Sequence, residues 1–408
     1  MTGRFRPRVM ILGGGFAGIS CARALSSRRF DVTLVDRSGS FEFLPNIHEL
    51  LSGVKTPDSL RLPLEDLMRA AGHRFLRNEV VAIDTAARQL AMKQGTPLDY
   101  DWLVLATGGV DATFGVGGVV QHGYSFKSVN QCARIGERLA ELASSETAAQ
   151  VVVVGGGLEG VEALGEILRK YRHSDIRTTL VEAQPRLLPE APAALDAHLR
   201  ALCENRAVDF RCGVPVQRLT AKTVKLVNGE SLRSDLTIWT GGPSPSALLR
   251  DSGLAPEKRW APVDENLRST QAEHVFVVGD AAELPATLPK QAYHAIDMGK
   301  CAARNLERAA RGCRLQRYRP APKPTLVSFG DLSCMMVAGN VALAGPALGA
   351  GKEAIYELLM TQLDPQPLPG RLQRVFDRSV LAGRQLLWPT LGSTDALRRQ
   401  ARFSLLTG

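Results

Sequence analysis

The chain has 408 residues, 45% of them apolar, with 38 glycines, a formal charge of +9 and a pI near 9.3. A chain of that length divides into two or three domains and can bury a large cofactor, and its composition excludes the fibrous and disordered classes. Seven cysteines with no CxxC pair exclude a zinc knuckle and a redox dithiol and suit a reducing compartment. No apolar run reaches the roughly 18 to 20 residues that span a bilayer. Arginines are spread along the chain without an aromatic-interleaved basic tract, so no nucleic-acid partner is expected, and no metal site is.

The N-terminal MTGRFRPR is basic, but the apolar stretch after it is a strand ending in GGG rather than a signal peptide. Val9 to Leu12 read as a buried parallel strand, Gly13, Gly15 and Gly18 stand in GxGxxG register, and a helix follows to Leu25. Glycines at that spacing let backbone approach a pyrophosphate, whose charge then meets free N–H groups at the helix start. A second strand, Val32 to Val35, ends at Asp36, where a carboxylate can accept hydrogen bonds from an adenosine ribose. Asp101 to Gly108 form a strand ending in a small-residue turn at Thr107 and Gly108, close to where a nucleotide would lie.

The device recurs. Val151 to Val154 precede Gly155, Gly157 and Gly160, and the strand from Thr178 to Val181 ends at Glu182. An acid there accepts the free ribose hydroxyls of NADH and repels the extra phosphate of NADPH; the alternative is an acid that merely solvates a strand end. SDLTIWTGG repeats the strand-and-turn pattern in the second unit, and His274 to Val278 form another strand, closing on Gly279 and Asp280. Gly349-Ala350-Gly351-Lys352-Glu353 has the wrong glycine spacing for a phosphate loop. Tyr318 to Pro324 read as a linker. After it come a hairpin-like opening, LVSFGDLSCMMVAGNVALAG, and helices. Leu372, Val375, Phe376, Val380 and Leu387 recur near helical spacing, flanked by arginines. Such a helix can lie on an anionic membrane, pack on its own protein or meet a second subunit.

The motifs GGGFAG, FLPNIHELLSGVKTPDSLRLPLEDL, ATGG, GGGLEGVEALGEI, WTGG, VFVVGDAAE and LVSFGD resemble the two-dinucleotide-fold flavoprotein (pyridine nucleotide-disulfide oxidoreductase) superfamily, and within it the type II, non-proton-pumping NADH dehydrogenases. The resemblance implies an α/β fold of two Rossmann-like dinucleotide-binding domains, one for FAD and one for NAD, plus a C-terminal α+β docking domain. The expected division is 1–112 and 260–322 for FAD, 113–259 for NADH and 323–408 for the C-terminal domain. It implies that Gly13, Gly15 and Gly18 receive the FAD pyrophosphate, Asp36 its adenosine ribose and Asp280 its ribityl chain or phosphate, with Pro45 near the flavin. Gly155, Gly157, Gly160 and Glu182 would hold NADH, and Glu162 would be the carboxylate near the nicotinamide; a helix-dipole charge is the other reading of Glu162.

The quinone-reducing members carry an AQxAxQ stretch, where this chain places Tyr293 and Asp297 at the two Gln positions. Lys290 stands where a cation could sit by the flavin N1 and C2 edge, or could only solvate a loop. Disulfide reductases of the superfamily carry a close Cys pair, absent here, and Cys132 and Cys334 are nominal candidates for sulfide chemistry. The expected activity is hydride transfer from NADH to FAD, then of two electrons to a quinone. The alternatives are a soluble reductase serving a protein acceptor, and a flavin-bound sensor. A homodimer is expected, in the cytoplasm or peripheral on the cytoplasmic face of the inner membrane.

Overall fold

Runs of aliphatic residues bounded by glycine become strands covered on both faces. Val9, Ile11 and Leu12 are at most 2% exposed, as are Val151 to Val153 in the second run. The computed structural model describes residues 6–366, 370–372, 375 and 403–407. The chain forms two compact units, each built from separated segments: 1–42, 61–110 and 243–322 in the first, and 43–60, 111–242 and 323–408 in the second.

In the first unit a five-stranded parallel sheet runs Val275–Val277, Trp102–Leu105, Arg8–Leu12, Asp31–Asp36, Arg74–Arg77 from edge to edge. By chain order this is 3-2-1-4-5, the arrangement in which a ligand crevice opens beyond the carboxyl ends of the first and fourth strands. The helix Phe16–Ala24 packs on the helix Ala292–Ala309. Gly299 permits this: a Cβ there would stand 2.2 Å from the carbonyl oxygen of Ala17.

The second unit repeats the scheme. Its parallel sheet has the order Gly123–Ser125, Leu236–Trp239, Ala149–Val154, Ile176–Glu182, Val208–Cys212. The helix Leu158–Tyr171 packs on the strand Thr325–Phe329, where Gly165 comes so near that a Cβ would lie 2.5 Å from the nitrogen of Gly330. That strand begins an antiparallel sheet with Ser333–Ala338, Val341–Ala344 and Ser404–Thr407, accompanied by the helix Leu348–Leu363. The fold is thus α/β, with two parallel Rossmann-like sheets and an added α+β portion, as expected. No helix among the described residues is long and apolar enough to cross a membrane. Of the basic stretch from 371 to 387, only Arg371, Leu372 and Val375 are among the described residues; Phe376, Val380 and Leu387 lie outside them.

Candidate functional site

Both glycine turns have one construction, and each glycine has its own reason. Gly13 and Gly155 have φ of +106° and +111°, and a Cβ on either would lie 2.3 Å or 2.5 Å from the carbonyl oxygen of Ala106 or Thr240 on the neighbouring strand's end. Gly18 and Gly160 seat the helix on its own turn, with a Cβ position 1.9 Å and 1.8 Å from the carbonyl oxygens of Gly13 and Gly155. The middle glycines, Gly15 and Gly157, face open space, with nothing within 4 Å of a Cβ. Each is the N-cap of its helix and neither helix has a side-chain cap. The N-cap thus offers the first-turn N–H groups no side-chain acceptor, and the space over each middle glycine is open. A pyrophosphate fits that arrangement, supplying negative charge at the helix's positive end.

The strand-end carboxylates are fastened to these turns. Asp36 Oδ2 accepts from the N–H of Gly14 at 2.7 Å and Oδ1 from that of Ser38 at 2.6 Å. Glu182 does the same with Gly156 at 2.5 Å and Gln184 at 2.7 Å. Glu159 places an acid in the first turn of the second helix, where it would oppose an incoming phosphate; Lys127 pairs with it and offsets that charge. Burial nevertheless raises the Glu159 pKa.

Further elements close the first site. The hydroxyl oxygen of Thr107 is buried and has no hydrogen-bond partner among the described residues, an orphan that a ligand's polar group could satisfy. Gly108, next to it, opens onto free space. Gly279 begins the turn after Val275–Val277 and fits between Ala17 and Ala295. A cavity of about 420 Å³ brings together Gly279, Asp280, Lys290, His294 and Trp260; Tyr293 is not in its lining. Lys290 donates to the carbonyl oxygens of Asp280 and Ala282 at 2.7 Å and 2.8 Å, and its ammonium lies 4.3 Å from the Trp260 ring centroid. It ties down the Asp280 turn, and burial lowers its pKa.

The second unit holds a buried charged cluster. Glu162 Oε1 accepts from Lys352 Nζ at 2.6 Å and from the N–H of Ser328 at 3.1 Å, while His48 Nδ1 lies 3.5 Å from Oε2. Lys352 also donates to His48 Nε2 at 3.3 Å, which leaves the imidazole proton on Nδ1, facing Glu162. Burial, then Lys352, Arg169 and Lys55, hold the His48 pKa well below its usual value, so the ring is neutral. Burial raises that of Glu162, and Lys352 and Ser328 oppose the rise. Beside them Lys55 pairs with Glu353 and lies 3.9 Å from the Tyr356 ring centroid. Pro45 sits in the turn Leu44–Asn46, from which Asn46 donates to Glu49 at 2.7 Å.

The glycines, both strand-end acids and Glu162 were visible as motifs. His48, Lys352, Lys55 and Lys127 were not, because each meets its partner across tens to hundreds of residues. In sequence His48 and Lys55 stand in the stretch FLPNIHELLSGVKTPDSLRLPLEDL, where nothing in the spacing points to Glu162 or Glu353.

The family model for pyridine nucleotide-disulphide oxidoreductases matches residues 7–299. The type II NADH:quinone oxidoreductase of Staphylococcus aureus (strain MSSA476) is 26% identical over 379 residues, covering 86% of this chain and 94% of the relative. Among solved structures, NDH2 from Plasmodium falciparum in complex with NADH superposes with a TM-score of 0.82 at 15% identity, over 94% of this chain and 99% of that one. The sulfide:quinone oxidoreductase of Aquifex aeolicus gives 0.77 at 20% identity, over 92% and 94%. At those identities the two structures speak for the fold.

Proposed function

We propose that this chain, which belongs to the pyridine nucleotide-disulphide oxidoreductase family, oxidises NADH through FAD and delivers two electrons to a quinone. The observation that carries the reading is the pair of glycine cradles, each with an open middle position and a strand-end carboxylate held by the turn itself. FAD, when bound, supplies the chemistry of accepting a hydride and giving up two electrons.

In this reading Gly13, Gly15, Gly18 and Asp36 hold FAD, with Thr107, Gly108, Gly279 and Asp280 around it, and Tyr293 belongs to the stretch that meets the acceptor. Lys290 acts by fixing the Asp280 turn, a positioning role that its two carbonyl contacts support. Gly155, Gly157, Gly160 and Glu182 hold NADH. Glu162 is the proton-handling carboxylate, its charge set by Lys352 and His48. The sequence of 371–387 supplies a basic apolar face for an anionic membrane surface, where a lipid-dissolved quinone is found, and the working form is a homodimer.

The test is anaerobic. The purified protein should hold about one FAD per chain, since one cradle is reserved for each dinucleotide. NADH should bleach it faster than NADPH, and a short-chain quinone should restore the yellow form. Glu182→Ala should narrow the NADH preference by about tenfold through lost repulsion at the ribose phosphate position. Bleaching that only a protein acceptor reverses would replace the quinone with the soluble-reductase reading, and no bleaching would end both.

A further inference from the structure

Charge in the first unit is not evenly spread. From residue 297 to 319 the chain has seven Lys and Arg and two acids. A cavity of about 840 Å³ gathers Lys300, Arg304, Arg314, Arg317 and Arg319 around Tyr318 and Asp297. The expectation of dispersed arginines misses this. Lys300 and Arg304 share a face of the Ala292–Ala309 helix through their four-residue spacing, and the irregular segment after the helix adds the other three.

The backbone under these cations is pinned by hydrogen bonds of its own. Asn305, fully buried, donates to the carbonyl oxygen of Gln316 at 2.9 Å and accepts from its N–H at 2.7 Å. The N–H of Tyr318 donates to the carbonyl oxygen of Glu265 at 2.7 Å, and Arg308 donates to that of Arg314. Neutralisation is slight. Arg317 pairs with Glu265 at 2.7 Å, both ends more than half exposed, and Lys300, Arg314 and Arg319 form no ion pair among the described residues. Asp297 is the one acid in the lining, opposed by five cations. Tyr318 adds a leftover donor: its hydroxyl oxygen is buried without a hydrogen-bond partner among the described residues, and burial pushes the phenol up to about 12, so it keeps its proton.

The groove is not the glycine cradle of the same unit. It runs along the face of Ala292–Ala309 that carries Asp297, Lys300, Cys301 and Arg304, whereas the cavity beside the Asp280 turn takes His294, Ala295 and Met298 from the same helix. The two cavities share no lining residue. A bilayer finds only Leu315 and Ala321 as apolar lining, too little for insertion. The volume is that of a small-molecule site, concave walls of one sign concentrate the field, and guanidinium forks match phosphate oxygens in pairs.

We propose that this groove binds a small anion carrying several phosphates, of the inorganic polyphosphate or nucleoside triphosphate class. The inference does not depend on the electron acceptor.

The probe is inorganic tripolyphosphate, titrated calorimetrically into the flavin-loaded protein at about 0.15 M salt. It should bind, weaken steeply with added salt, and lose about tenfold or more in affinity in the variant Lys300→Gln, Arg314→Gln, Arg319→Gln. The control Arg28→Gln, Arg177→Gln, Lys225→Gln removes as much charge elsewhere and should bind as the unaltered protein does. NADH-driven flavin bleaching, measured on all three, should be unchanged and reports intact folding. Absence of binding, or equal loss in both variants, would overturn the proposal. So would binding to phosphatidylglycerol vesicles without binding to tripolyphosphate, which would make the groove a lipid contact.

Discussion

Glu166 is 1% exposed and shares its carboxylate between the Ser52 hydroxyl and Arg169, the latter at 3.4 Å. Burial, reinforced by Glu49 and opposed by Arg169 and Ser52, raises its pKa to about 7. The unfolded chain releases that proton near 4.3, so between there and about 7 the folded state binds the extra proton, and stability falls as pH rises. The expected loss is about 1–3 kcal/mol between pH 5 and 8. Glu166→Gln should flatten it, read as a smaller difference in melting temperature between those two pH values; an equal difference in both proteins would assign the effect to other groups. At this scale the sequence is legible only in part. Glu162 stands in a motif, but its partner Lys352 lies in GAGKE, which reads as a failed phosphate loop and folds as a helix with the lysine buried against the acid. A long-range ion pair leaves no period or spacing to read.

The two glycine turns make a separable prediction about their elements. Alanine at position 155 meets both a positive φ and the carbonyl oxygen of Thr240, so Gly155→Ala should destabilise the unit by about 1–3 kcal/mol. Gly157 has φ of −74° and open space around its Cβ position, so Gly157→Ala should melt as the unaltered protein does while losing NADH affinity, because the methyl occupies the phosphate cradle. Melting curves and NADH titration on the two variants separate these outcomes; a Gly157→Ala protein that binds NADH normally would remove the cradle from the site. Strands and helices around the turns were legible because buried parallel strands are continuous apolar runs and the glycine spacing sets the turn. The cation groove was not, since it joins a helix face to an irregular segment whose course is set by Asn305 rather than by any periodicity.

Across the whole molecule, the expectation of two Rossmann-like sheets rested on the repeated device and that of an α+β addition on the family resemblance, and the architecture follows both. The excess of positive charge was legible as a number; the concave wall that five of the cations share needed the fold. The interrupted build of the first unit bears on how the chain emerges from the ribosome. Its sheet cannot gain its fifth strand until Val275–Val277 has been made, whereas the second unit's parallel sheet is complete once Trp239 appears. Synthesis at roughly 5–20 residues per second gives the later sheet time to close while the earlier strands still wait for their edge. Protease challenge of ribosome-bound chains stalled near residue 300, from which Trp239 has emerged but Val275–Val277 has not, should therefore find 123–239 protected and 8–105 cleavable, and the reverse pattern would refute this order. The segment that begins the protein would then wait for its edge strand until Val275–Val277 has been made, and a flavin could be captured only after that.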